Sequence, residues 1–364
     1  MLLPVLFSFF TLLFSIYSYF LIDPNITFFQ NRYWVIFRDW VVYWGYYRRD
    51  VSWGIYLTLT IILFVLHTIA VKKYKNFPIL KYVFLIGILL VFSYPFLSHD
   101  FFNYMFDARI LTHYGKNPYL FKALDFPLDQ WTRFMQWTHR TYPYGPTFLP
   151  LTLIPSYLGL GKFAPTFFLF KAMWVGLFGL SVFYLNKINK KSAVFFATHP
   201  LVIIEGLING HNDFIAVALG IVGIYLLGKK MNVWSRIFLL FSAGIKYITA
   251  PIIVLSPSLR PSRYMKLLFG LQIALIAYAS FKMEIQPWYF LSLFVFLPFF
   301  PECMERLSLF FAGLLFSYYP YIRLGGWDTT DKVNLKHQII IPFFILNLFL
   351  LFYHYFLKKK FFKR

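Results

Sequence analysis

The chain has 364 residues, of which 59% are hydrophobic and only 13% carry a charge. So few polar side chains cannot cover the surface of a soluble protein of this size, which excludes the soluble globular classes. The net charge is +21, but Lys and Arg occur in short clusters between apolar runs, which is typical of membrane loops and argues against a nucleic-acid-binding protein. The single cysteine, Cys303, excludes an internal disulfide and a cysteine zinc site.

The apolar runs have roughly the twenty residues that a helix needs to cross a bilayer, and they lack the alternation of a β-barrel. We therefore predict an all-α polytopic membrane helical bundle with about 9 to 12 membrane segments, including half-membrane helices. Residues 1–53 form an extra N-terminal part, with an anchor helix and then an external aromatic and basic segment. The anchor has no basic start and no cleavage site, so it is not a removable signal. Residues 54–364 form the main transmembrane domain, with its active-site loop at 99–147.

Basic residues flank many of the apolar runs, and the positive-inside rule places them in the cytoplasm. The clusters are Lys72, Lys73, Lys75 and Lys81; Lys187, Lys190 and Lys191; Lys229, Lys230 and Arg236; and the tail at 358–364. With this orientation the loop at 99–147 is external. We therefore predict an integral protein of the cell membrane with its active site on the external face.

Two stretches do not fit a simple crossing. Residues 148–160 form a short run with two prolines, which predicts a half-membrane helix that lines a cavity. Residues 237–255 have basic residues at both ends and Lys246 in the middle. Either two half-helices meet near Lys246, or one ordinary helix crosses there and Lys246 extends its side chain to the interface.

The first polar cluster directly follows an apolar run. On a helix Asp100, Asn103, Tyr104 and Asp107 share one face, with Arg109 near its edge. Charged groups at a membrane face are functional candidates. The order acid, amide, phenol and acid suits a site that binds several hydroxyl groups, whereas a solvated interfacial helix is the alternative.

The second polar cluster lies in a later external loop and contains His211, Asn212 and Asp213, with Glu205 and Asn209 close by. No second histidine has the spacing of a metal ligand. We therefore expect no metal and no other cofactor, although a divalent metal is compatible with these residues.

Five motifs, taken in order, resemble a known family. They are D-x-x-N-Y-x-x-D-x-R…Y-G-x-N-P-Y at 100–119, Y-G-P at 144–146, H-P-L-V-I-I-E-G…N-G-H-N-D at 199–213, G-I-K-Y at 244–247 and Q-P-W-Y at 286–289. In this order and spacing, from about residue 83 to 300, the chain resembles the polyprenol-phosphate-mannose-dependent mannosyltransferases of the GT-C type. Residues 1–53 have no counterpart in that resemblance.

The resemblance implies a glycosyltransferase that moves a hexose, usually mannose, from a polyprenyl phosphate donor to a lipid-linked or glycan acceptor. It makes Asp100 the catalytic base, and inverting attack by the acceptor needs no second acid because phosphate is a good leaving group. Lys246 and Arg109 are the cations expected at that phosphate. The substrate-binding residues that we expect are Asn103, Tyr104, Asp107, Arg109, Tyr144, His211, Asn212, Asp213, Lys246, Tyr247, Gln286 and Trp288.

Two other classes of function are alternatives. A lipid or sugar-lipid flippase predicts paired repeats, and inspection of the sequence finds none. A structural subunit whose polar loops bind a partner leaves a lysine inside an apolar stretch unexplained. Acidic motifs gathered at one face favour the enzyme.

Overall fold

The computed structural model describes residues 2–256 and 262–354, and within these ranges the chain is helical and contains no strand. This confirms the predicted fold class. The α-helices are α1 Leu2–Tyr17, α2 Arg32–Val42, α3 Arg49–Lys72, α4 Ile79–Val91, α5 Asp100–Thr112, α6 Phe148–Leu158, α7 Phe163–Ile188, α8 Lys190–Thr198, α9 Asn212–Gly228, α10 Asn232–Ile245, α11 Arg263–Met283, α12 Pro301–Arg306, α13 Ser308–Phe316, α14 Tyr319–Leu324 and α15 Thr330–Phe352. Short 3₁₀ segments are Ser18–Leu21, Tyr74–Asn76, Ala123–Asp125, Gln130–Phe134, Tyr247–Val254 and Pro287–Phe296, and π-helical segments are Tyr43–Tyr47 and Val202–Ile208.

Five described helices are long and apolar enough to cross a membrane: α1 with the 3₁₀ turn that follows it, α3, α7, α11 and α15. A bent pair, α8 and the π-helical segment Val202–Ile208, meets at 67° and is either a broken sixth span or a re-entrant loop. Five shorter apolar helices accompany them, namely α4, α6, α9, α10 and Pro287–Phe296. The protein is thus a polytopic helical membrane protein, and the number of its membrane segments stays a prediction.

Both stretches that did not fit a simple crossing form short helices. The run at 148–160 is the 11-residue helix α6, which packs on α5 and α7. In the run at 237–255, α10 ends at Ile245 and a 3₁₀ segment begins at Tyr247. Lys246 lies between them with an extended backbone. The prediction of two half-helices that meet near Lys246 is therefore confirmed.

Local sequence signals explain where several helices begin and end. The Asn189 side chain accepts hydrogen bonds from the backbone N–H groups of Lys191 and Ser192, so it caps α8. Pro200 disfavours a helical backbone at His199, which is extended, and α8 ends one residue before it. This proline explains the bend between α8 and the π-helical segment Val202–Ile208.

Basic residues from different parts of the chain meet at one end of the bundle. Lys190 Nζ donates to the carbonyl oxygen of Lys75 at 2.7 Å, and Lys191 forms a 2.6 Å ion pair with Glu305. The basic tail predicted at 358–364 lies outside the described residues.

The N-terminal segment shares one large, aromatic-rich hydrophobic core with the rest of the bundle. The Phe14 ring lies 5.8 Å from the Tyr56 ring, and the Tyr17 hydroxyl lies 3.1 Å from the Ser52 hydroxyl. Contacts of this kind fix α1 against α3.

Candidate active site

The first polar cluster is helical, as predicted, and α5 begins at Asp100. Asn103, Tyr104 and Asp107 are all buried on α5. Asp100 is different because 21% of its side chain is exposed. The polar face of α5 therefore begins with one partly exposed carboxylate, and its three following polar side chains are enclosed.

The second polar cluster is held at the bend of the broken span. The π-helical segment Val202–Ile208 contains Glu205, whose side chain is fully buried. Glu205 Oε2 accepts a 3.2 Å hydrogen bond from Asn209 Nδ2, and Asn209 Oδ1 accepts one from the Leu97 N–H. Irregular backbone of this kind is tolerated at membrane depth only where it is buried in protein or lines a cavity, and π-helical turns are frequent at functional sites.

His211 joins the two clusters. Its Nδ1 atom lies 3.8 Å from Asp100 Oδ2, and its Nε2 atom lies 3.3 Å from Glu205 Oε2. The ring stacks on Trp288 with 4.1 Å between centroids and 13° between planes. This imidazole is therefore fixed in orientation between two carboxylates. Sequence spacing placed Glu205 near the loop but did not indicate that pairing.

Lys246 meets Asp213 at the same place. Lys246 Nζ lies 2.9 Å from Asp213 Oδ2, and the Tyr289 ring centroid lies 5.3 Å from the same nitrogen. Asp213 is fully buried, whereas 19% of the Lys246 side chain is exposed. The break between the two half-helices thus positions an accessible ammonium group at the site.

Tyr104 packs between the two clusters. Its hydroxyl accepts a 3.3 Å hydrogen bond from the Asn212 N–H, and its ring lies 4.8 Å from the Tyr144 ring. The segment between α5 and α6, which carries Tyr144, therefore packs against α5. We call residues Asp100, Asn103, Tyr104, Asp107, Tyr144, Glu205, His211, Asn212, Asp213, Lys246, Trp288 and Tyr289 the site cluster.

Two glycines allow the segment between α5 and α6 to pack against the break between α10 and Tyr247–Val254, which we call the Lys246 turn. A Cβ atom on Gly145 would lie 1.8 Å from the carbonyl oxygen of Gly244, which no real contact allows. A Cβ atom on Gly244 would lie 2.7 Å from the Thr147 hydroxyl. The Thr147 hydroxyl also donates to the carbonyl oxygen of Phe241 at 2.8 Å. Only glycine permits this backbone contact.

Two residues of α7 hold the loop at 209–213, and the sequence analysis missed both. Lys171 is fully buried, and its ammonium group donates to the carbonyl oxygens of Leu207 at 2.6 Å and Ile208 at 2.9 Å. Trp174 Nε1 donates to the carbonyl oxygen of His211 at 3.3 Å. The sequence did offer one indication of this role, because Lys171 lies inside the long apolar run of α7.

Asp107 has an unusual electrostatic environment. Burial raises its pKa to about 8, although the Arg140 guanidinium acts in the opposite direction and the Asp100 carboxylate adds to the rise. At neutral pH the Asp107 carboxyl is therefore mostly protonated and can donate a hydrogen bond.

Three predicted residues have their closest polar contacts outside the site cluster or are largely exposed, and their roles stay predictions. Arg109 forms a 2.6 Å ion pair with Asp129 and donates to the carbonyl oxygen of Gly161, so its side chain is directed away. Tyr247 is 53% exposed. The amide oxygen of Gln286 accepts a 2.9 Å hydrogen bond from Lys336 Nζ.

Asp129 and Lys336 are the partners that sequence reasoning missed. Burial raises the pKa of Asp129, but hydrogen bonds from the Trp131 N–H, the Arg109 guanidinium and the Tyr114 hydroxyl outweigh it, so this pKa lies below its usual value. Lys336 Nζ also lies 2.8 Å from Glu284 Oε1. Both ion pairs join segments that are far apart or separated by an irregular loop, which a local pattern does not reveal.

One cleft in the described part of the chain lies apart from the site cluster. A cleft of about 260 Å³ lies at the C-terminal end of α5, beside Arg109, His113 and Trp131, and is separate from the site cluster. Across residues 2–256 and 262–354, no three His, Cys, Asp or Glu side chains are grouped to hold a metal ion.

A family model described as alpha-(1->6)-mannopyranosyltransferase, N-terminal domain, matches residues 29–257. The matched region contains the first two polar clusters and the Lys246 turn, and it begins inside the N-terminal segment. Neither the curated proteins nor the solved structures gave a match to the chain.

Proposed function

The chain belongs to this family of alpha-(1->6)-mannopyranosyltransferases, and we propose that it transfers mannose from a polyprenyl-phosphate-linked donor to a lipid-linked or glycan acceptor on the external membrane face. Membership makes the protein a glycosyltransferase of the membrane. The donor, the acceptor, the face and the inverting course of the reaction are our proposal, and so is the role of each residue.

A single observation carries the proposal: a partly exposed aspartate side chain and a partly exposed lysine side chain border one enclosed polar cluster. Asp100 and Lys246 are 21% and 19% exposed, whereas the Asp213, Glu205 and His211 side chains are at most 1% exposed. Glycosyl transfer needs a base near the acceptor hydroxyl and a cation near the leaving phosphate. Asp100 and Lys246 supply these two groups.

The reaction is a displacement at the anomeric carbon. The acceptor hydroxyl oxygen attacks that carbon while Asp100 accepts the hydroxyl proton. The bond between the anomeric carbon and the phosphate oxygen breaks, and its electron pair stays on the phosphate, next to Lys246. Attack from the opposite side inverts the configuration, so an α-linked product requires a β-linked donor.

The enclosed part of the cluster orients the reacting groups. Asp213 is the counter-ion that holds Lys246, and Trp288 fixes the His211 ring behind Asp100. Asn103, Tyr104 and Asp107 provide amide, phenol and carboxyl groups that suit sugar hydroxyls. Asn103, Tyr104 and Asp107 lie on the packed helix α5. The loop residues His211 and Lys246 are held by their contacts with Trp288 and Asp213, which keeps these groups oriented before substrate binds.

The experiment uses purified protein in lipid nanodiscs, labelled polyprenyl-phosphate-mannose and a lipid acceptor. We expect a mannosylated lipid product, formed equally well with a metal chelator present. A nucleotide sugar given as the donor should yield no product. Movement of labelled lipid across vesicles without any product would favour the flippase and would refute the proposal.

A further inference from the structure

Four buried polar atoms near the external loop have no hydrogen-bond partner within the described part of the chain. They are Asn103 Oδ1, Arg140 Nε, Tyr142 Oη and Tyr144 Oη. Buried polar groups are nearly always hydrogen-bonded, so a group of orphaned ones points to a missing ligand or water. Three of the four can donate a hydrogen bond.

The three donors lie together. The Tyr142 and Tyr144 ring centroids are 5.3 Å apart, and Arg140 Cζ lies 6.0 Å from the Tyr144 centroid. Arg140 Cζ also lies 4.8 Å from the Trp137 centroid. Two aromatic rings therefore hold the guanidinium, which leaves its N–H groups free for a ligand.

Arg140 differs from the other cations around the site. Four cations already have oxygen partners: Arg109 has Asp129, Lys171 has two carbonyl oxygens, Lys246 has Asp213 and Lys336 has Glu284. Among residues 2–256 and 262–354, no hydrogen bond or ion pair joins Arg140 to another residue. Its charge is uncompensated at contact distance.

We propose that Arg140, Tyr142 and Tyr144 bind a phosphoryl oxygen of the lipid-linked substrate. A planar guanidinium with adjacent hydroxyl donors is the chemistry that recognises phosphate. Arg140 is then a second cation for this phosphate, in addition to Lys246. The inference rests on the proposed function because it takes a lipid phosphate as the substrate.

The state of Asp107 is compatible with a bound anion. The Asp107 carboxyl interacts electrostatically with Arg140 and Asp100. Besides burial, its charge also contributes to the raised pKa of the Tyr142 and Tyr144 hydroxyls. Below its pKa of about 8 the Asp107 carboxyl is mostly neutral, so it does not repel phosphate. Affinity for the phosphate should therefore fall as pH rises through about 8.

The test measures binding of two probes, polyprenyl phosphate and the uncharged polyprenol, to the full-length protein in nanodiscs. Arg140→Gln should weaken the binding of polyprenyl phosphate by about 10- to 100-fold, the effect of losing a hydrogen bond to a charged group. Its affinity for polyprenol should not change. Arg133→Gln is the matched control, because Arg133 is an exposed cation of the same loop.

Further variants keep the test decisive. Tyr142→Phe should weaken the binding of polyprenyl phosphate by a smaller factor than Arg140→Gln. Arg140→Lys should keep part of the affinity that Arg140→Gln loses. If Arg140→Gln does not fold, these two variants decide, and wild-type affinity in both would overturn the inference. Inorganic phosphate is a third probe, and equal affinity for it and for polyprenyl phosphate would assign the site to a free anion.

The two proposals fail in different ways. If labelled mannose is transferred and Arg140→Gln binds polyprenyl phosphate normally, only the inference on Arg140 is wrong. If the wild-type protein neither binds polyprenyl phosphate nor uses its mannose conjugate, the proposed donor is wrong.

Discussion

Lys246 reaches from the end of α10 to Asp213 at the start of α9, and its ammonium nitrogen lies 2.9 Å from the Asp213 carboxylate. The carboxylate is fully buried, whereas part of the lysine is exposed. Asp213 therefore depends on Lys246 for its counter-charge, and removing the lysine leaves an uncompensated buried charge.

This pair determines what a substitution at Lys246 does. Lys246→Met should weaken donor binding by about tenfold or more and also destabilise the protein, by up to about 3 kcal/mol. The double variant Lys246→Met, Asp213→Asn should recover thermal stability but not donor affinity. Thermal unfolding and donor binding, measured on both variants, check this. Wild-type donor affinity in the double variant would remove Lys246 from the site.

Asp100→Asn should lower the transfer rate by about 10² to 10⁴, because the amide keeps the shape of the side chain but does not accept a proton. Donor binding should persist. Asp331→Asn is a suitable control, since Asp331 is an exposed acid in the first turn of α15. Turnover near the wild-type rate in Asp100→Asn would point to a different base.

Arg109→Gln should lower stability and leave donor affinity unchanged, because Arg109 pairs with Asp129 and not with the site cluster. Loss of one partner of an enclosed ion pair costs about 3 kcal/mol. The measurements are the unfolding temperature and the donor dissociation constant. A large loss of donor affinity at unchanged stability would return Arg109 to the site, as the sequence pattern predicts.

The raised pKa of Asp107 makes stability depend on pH. In the folded protein this pKa is about 8 against a usual value of 3.8, so the folded state binds more protons than the unfolded state between these values. The stabilisation from Asp107 is therefore complete below about pH 4 and is lost as pH rises through about 8. Unfolding temperatures of the wild type should fall across this range more steeply than those of Asp107→Asn. If the unfolding temperatures of the two proteins change with pH in the same way, the raised pKa of Asp107 is contradicted.

The proposal that the site lies on the external face can be tested by labelling. With Cys303 replaced, Lys116→Cys should react with an impermeant thiol reagent in intact cells, and Lys187→Cys should not. Both lysines are exposed, so accessibility within the protein does not explain a difference. The reverse pattern would place the site cluster in the cytoplasm, where a nucleotide-sugar donor has to be considered.

Local patterns predicted the local parts of this structure. Spacing along the chain indicated the polar stripe of α5, and a lysine inside an apolar run indicated the pair of half-helices at Lys246. Both features depend on residues within a few turns of each other, where helical periodicity applies.

Local sequence patterns did not predict the contacts between distant segments. Arg109 lies on the same helix as Asp100, but its partner Asp129 follows an irregular loop whose path periodicity does not describe. The sequence likewise did not indicate that Lys336, 50 residues after Gln286, would bind it. Contacts of this kind depend on how the helices pack, and a one-dimensional pattern does not contain that information.

The backbone contact between Gly145 and Gly244 has a mechanical consequence. Because the two backbones touch with no side chain between them, a Cβ atom on either glycine would force apart the segment between α5 and α6 and the residues around Lys246. The two glycines therefore set the distance between the segment that carries Tyr144 and the residue that carries the ammonium group. A larger residue at either position changes the geometry of both parts of the site cluster at once.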